Sequence, residues 1–144
     1  MYQEILALYR LRGLRELVFD VDSIPPTINH HHIPIRTKSK KGKTYIGQRL
    51  SDEAVYFRSL VSATLGQCKW SAKGIVCFVI RVSSHRWITK DGKPRVMDMD
   101  NRIKPLLDAV QHAIGLRDEL VWHVHAFKVA SYRDLTTVHI FDLG

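Results

Sequence analysis

The sequence predicts one α/β or α+β domain, a mixed β-sheet packed by two main helices, and three observations carry that expectation. The chain has 144 residues, which fits a single domain with a modest core. Its hydrophobic fraction of 45% lies in the globular range and excludes disorder of the whole chain. Its apolar pattern switches between periods in the order strand, helix, strand, helix, strand, strand. No internal repeat or low-complexity tract interrupts that order.

Residues 1–16 read as an N-terminal extension containing a short amphipathic helix. Glu4, Arg10, Arg12 and Arg15 break it too often for the apolar core of a signal peptide. Residues 17–144 carry the main domain. Glu16 to Val21 is the first strand, stopped by Pro25 and Pro26, which lack the amide a ladder needs. No acid occurs from Ser23 to Ser51, while Arg36, Lys38, Lys40, Lys41, Lys43 and Arg49 gather around Gly42 and Gly47. This stretch is a mobile basic loop or a loosely held hairpin, and a candidate phosphate contact.

Ser51 offers a helix N-cap, with Asp52 and Glu53 in the first turn. Ala54, Phe57, Val61 and Leu65 then recur at helical spacing, and Gly66 marks the end. Ile75 to Val82 is nearly all apolar and β-rich, as a central strand covered on both faces would be. Asp91-Gly92 signals a two-residue hairpin turn in a second basic arm, with Arg86, Lys90, Lys93 and Arg95 around it. A second helix precedes two further strands, which are joined by a turn at Ser131 to Asp134.

Lys plus Arg number 22 against 14 Asp plus Glu, a net charge of +8, so the surface attracts polyanions. Cys68 and Cys77 match no zinc or redox spacing and read as reduced thiols of a cytoplasmic protein. No apolar run nears the roughly 20 residues that span a bilayer.

Against this basic background stands the acidic segment "RVMDMDNRIKPLLDAVQHAIGLRDELV". Pro105 is expected at the first helical position, with Lys104 as N-cap and Asp98 to Asn101 as an extended lead-in. Residues i and i+2 of an extended segment point the same way, so Asp98 and Asp100 are expected to project together. Gly115 ends the helix, and Asp118 must return to the pair through folding. Three carboxylates suit a hard cation such as Mg²⁺ or Mn²⁺, and Lys104 adds a positive charge for a developing phosphorane. The pattern alone fits equally an Asx turn with a helix-entry cap and a solvated turn at Asp118. A calcium loop is excluded, because Arg102, Ile103 and Ala109 occupy positions that need a ligand, a Gly and a Glu.

The segment "DMDNRIKPLLDAV", followed by Gly115, Asp118 and Val121, resembles the Asp-x-Asp-Asn-x-x-Lys motif of the RusA family of crossover junction endodeoxyribonucleases. "IPPTIN", Ile24 to Asn29, is similar to that family's strand-ending Pro-Pro-x-x-Asn. The likeness runs from about Leu17 to Leu143 and makes residues 17–144 a RusA-like endonuclease domain. It implies a Mg²⁺-dependent homodimer, bacterial or prophage-encoded, that resolves Holliday junctions by paired symmetric nicks. By motif position it makes Asp98, Asp100 and Asp118 metal ligands, Lys104 the catalytic lysine and Asn101 a supporting group. The family pattern has an acid where Arg117 precedes Asp118, and Glu119 is an alternative or supplementary ligand.

His30, His31 and His32 follow the Pro-Pro turn in a basic region, which favours a DNA-facing or exposed role over metal binding. His123 and His125 alternate as strand residues of one face do, with core or sheet-surface positions as the default. The rival to an endonuclease is a non-catalytic basic nucleic-acid-binding protein whose carboxylates only cap a helix.

Overall fold

A computed structural model describes residues 1–30 and 32–144, and His31 lies outside the described residues. Among the described residues, six strands and three α-helices make one α+β domain. Strands β1 (Arg15–Val21), β4 (Val76–Ser84), β5 (Val121–Ala130) and β6 (Leu135–Asp142) form a mixed sheet in the order β1-β6-β4-β5. Only β4 and β5 run parallel, and the connection between them carries helix α3 (Asp100–Ile114). Strands β2 (His32–Lys38) and β3 (Thr44–Leu50) pair separately as an antiparallel hairpin. Of the two readings of the basic stretch, the structure has the hairpin.

Helix α2 (Asp52–Leu65) begins as its sequence dictates. Ser51 Oγ accepts from the Ala54 amide at 3.1 Å, and Ala54, Phe57, Val61 and Leu65 are all buried. Together α2 and α3 cover one face of the sheet, where Val76, Phe78, Ile80 and Val82 of β4 meet Leu106, Ala109 and Val110 of α3. The alternate residues Cys77 and Val79 point to the opposite face and pack with Leu6 and Phe141 beneath α1 (Tyr2–Leu11). That two-sided burial explains the nearly unbroken apolar run of β4.

The N-terminal helix therefore serves as the cover of a sheet face. Tyr2 Oη lies 2.5 Å from His139 Nε2, and His139 Nδ1 lies 2.7 Å from Glu16 Oε1. Arg10 then donates to both oxygens of Glu16, at 3.0 and 2.8 Å. No helix among the described residues is long and apolar enough to cross a membrane.

Two local expectations are corrected. The turn at Asp91-Gly92 has three loop residues, not two: Gly92 donates to Thr89 O at 3.0 Å, and Thr89 to Lys93 O at 2.7 Å. Gly92, at φ +77°, takes the left-handed position that closes such a loop. The β2–β3 turn repeats the pattern with Ser39, Gly42 (φ +76°) and Lys43.

The second correction bears on the candidate site. Helix α3 starts at Asp100 rather than at Pro105, so Lys104 is no N-cap and Pro105 sits inside the helix. Pro105 forgoes one amide bond there, but it is buried within a helix that packs against α2, so tertiary packing overrides the local penalty. Met99 has helical angles, φ −71° and ψ −41°. Asp98 and Asp100 consequently do not project in parallel from an extended lead-in.

A candidate acidic site beside an apolar cleft

Starting α3 at Asp100 puts Asp100, Lys104 and Asp108 on one helical face at successive intervals of four. Opposite them, Val124 and Ala126 of β5 share a strand face. Between α3 and β5 opens a cavity of about 560 Å³, lined by Asp100, Lys104, Asp108 and Asp118 with Ile103, Leu107, Val124 and Ala126. Asp118 reaches it because Gly115, at φ +65°, reverses the chain after α3 and a short 3₁₀ turn, Asp118–Leu120, leads into β5.

Hydrogen bonds hold these side chains. Gln111 Nε2 donates to Asp118 Oδ1 at 3.0 Å, and Lys104 Nζ lies 3.3 Å from Asp108 Oδ1. Asp98 stands just outside the cavity lining, its Oδ2 accepting from Asn101 Nδ2 at 3.2 Å. Glu119 pairs instead with Arg117 at 3.2 Å.

The fold thus gathers Asp100, Lys104 and Asp118 at one cavity and leaves Asp98 at its margin. Among the described residues, no three carboxylate, histidine or cysteine side chains are grouped closely enough to hold a metal ion as they stand. The oxygen-only donors Asp98, Asp100 and Asp118 nevertheless have the chemistry a hard divalent cation selects.

All nine candidate phosphate contacts are exposed or half-exposed: Arg36, Lys38, Lys40, Lys41 and Lys43 on the first arm, and Arg86, Lys90, Lys93 and Arg95 on the second. Arg86 also pairs with Asp134 at 3.5 Å. His125 faces away from the cavity, its Nε2 lying 3.3 Å from Tyr9 Oη of α1. Sequence reasoning missed Gln111; one helical turn after Lys104 it expects Asp108 as an ion-pair partner, which the structure has, but not as part of the cavity wall. Helical periodicity places both on the side of Asp100, once the helix is started at that residue.

The chain matches no family model, and no curated protein matches it.

Proposed function

We propose that the chain is a metal-dependent, structure-selective DNA endonuclease that resolves four-way junctions by paired symmetric nicks, as its likeness to the RusA family implies. The observation that carries this reading is the meeting of Asp100, Lys104 and Asp118 at one cavity, on a chain whose exposed arms are strongly basic. An acidic site inside basic surroundings has a joint explanation in phosphodiester cleavage: the arms hold the backbone and the carboxylates hold the cation.

In this reading Asp98, Asp100 and Asp118 would hold Mg²⁺, or Mn²⁺ in its place, which would supply Lewis-acid chemistry at the phosphodiester. Gln111 fixes the direction of Asp118, and Asn101 that of Asp98. Lys104 exchanges its Asp108 partner for the charge that develops on the phosphate. Paired nicks need two sites, and one chain offers one, so the working unit is a homodimer. The partner is branched DNA, and the setting is the cytoplasm of a bacterium or of one carrying a prophage.

A second reading has an observation of its own. Asp98 and Asp100 sit at the N-terminus of α3, where negative charge is favourable with no metal at all. The protein would then be a non-catalytic nucleic-acid-binding module. Substituting Asp100→Asn separates the two. The endonuclease reading expects Mg²⁺-dependent cleavage to vanish while junction binding persists or tightens, because repulsion between carboxylate and phosphate is removed. Unchanged cleavage by this variant would take Asp100 out of the site.

A further inference from the structure

Among the described residues, Arg102 carries a buried charge with no carboxylate in direct contact. It is 7% exposed. Its Nε is buried without a hydrogen-bond partner among the described residues, and its Nη1 donates to the Pro25 carbonyl. Burial pulls its pKa down, opposed by the more distant charge of Glu53. A side chain of similar length without the charge would be easier to bury, so the guanidinium calls for a reason beyond packing.

Its neighbours supply one. The guanidinium carbon lies 5.8 Å from the centre of the Trp87 ring, and Lys128 Nζ lies 5.1 Å from the same ring. Trp87 is 5% exposed and donates from Nε1 to Val82 O at 2.8 Å, which fixes the indole to β4. Each group around that ring belongs to a different segment. Pro25 begins the approach to the first basic arm. Trp87 opens the second arm, and its carbonyl accepts from the Arg95 amide at 2.9 Å where that arm closes. Lys128 of β5 donates to the Met97 carbonyl, in the segment that leads through Asp98 to Asp100 at the start of α3. Arg102 belongs to the first turn of α3 itself.

We propose that Arg102, Trp87 and Lys128 form a positioning stack that ties the roots of both basic arms to the carboxylate-bearing turn, so that DNA held by the arms meets the carboxylates in one register. This rests on the endonuclease reading and adds a specificity element to it. None of the three touches the cavity, so they act through Met97, Pro25 and the start of α3.

The test uses the full chain with Lys128→Met, Arg102→Met, Trp87→Phe and Trp87→Leu. Lys128 is exposed, so its variant folds irrespective of the fate of the others. Both Trp87 variants lose the indole N–H, but only Phe keeps a ring for the two cations. Lys128→Met and Trp87→Leu are expected to keep the junction Kd within about threefold while kcat falls about 10- to 100-fold, with Trp87→Phe close to wild type. Equal kcat for Phe and Leu at position 87, or an unaltered kcat for Lys128→Met, would overturn the proposal.

Amide hydrogen exchange gives a readout that needs no cleavage. Lys128→Met should speed exchange across residues 87–95 and 96–103 together, and Arg102→Met across 24–30 as well, with residues 52–65 of α2 unchanged. Changes confined to the substituted segment would contradict the linkage even in a protein that cuts. Linked changes in these variants, beside a wild type that does not cut, would retain the stack and discard the endonuclease reading.

Discussion

Gln111, three turns along α3 from Asp100, donates from Nε2 to Asp118 Oδ1 at 3.0 Å. The contact holds a carboxylate that follows the helix against the helix flank, at the cavity that Asp100 also lines. The left-handed Gly115 turns the chain, and Gln111 catches the returning side chain. Replacing Gln111 with Leu keeps the helix and frees Asp118. On the endonuclease reading, metal-dependent cleavage is expected to fall about 10- to 100-fold with junction affinity little changed, the loss typical when the outer support of a metal ligand is removed. Single-turnover kinetics beside a binding titration read both quantities.

On the proposed reading, the exposed lysines of the first arm hold DNA by charge. Changing Lys40, Lys41 and Lys43 to Gln should weaken binding to junctions of any sequence and flatten the slope of log K against log salt by about 0.9 for each phosphate no longer neutralised. Titrations at several salt concentrations measure the slope. An unaltered slope would place the DNA elsewhere.

Glu16 links α1 to the sheet and makes stability pH-dependent. The hydrogen bonds from Arg10, joined by His139, hold its pKa below the ordinary 4.5 despite partial burial. A lowered carboxylate pKa contributes stability that is present above the unfolded value and is lost as pH falls through the folded one. The wild type should therefore exceed Glu16→Gln in unfolding free energy by a steady margin near neutral pH. That margin should shrink as pH drops below 4.5. Denaturant unfolding of both proteins across that range tests the sign.

Leu106 is fully buried where α3 packs on the sheet. Leu106→Ala should lower the unfolding free energy by about 2–5 kcal/mol, because apolar burial is removed and a cavity remains. Because α3 also carries Asp100 and Lys104, the same variant should lose cleavage at temperatures where wild type remains active. Denaturant unfolding gives the energy directly.

Much of this fold was legible because its signals are local or strictly periodic. Ser51 caps the helix it precedes, Gly115 ends α3 in the left-handed conformation, and β4 shows in its apolar run that both faces are covered. The start of α3 was not legible. Pro105 argues locally for a helix that begins there, and only the burial of Pro105 and the tie from Arg102 to Pro25 show why the helix begins earlier. That displacement alters the candidate site: it aligns Asp100 with Lys104 and Asp108 along the cavity, while Asp98 is not among the residues that line it. The role of α1 was also out of reach, since an amphipathic helix does not announce which face of a sheet it will cover.

The most direct test of the endonuclease reading is cleavage of an end-labelled four-way junction by the purified chain in Mg²⁺, beside EDTA and a linear duplex of the same sequence. Paired nicks are expected at symmetric positions in opposing strands, absent with EDTA and absent from the duplex. Tight binding to the junction with no cut in Mg²⁺ or Mn²⁺ would contradict that reading and leave the carboxylates as the cap of α3.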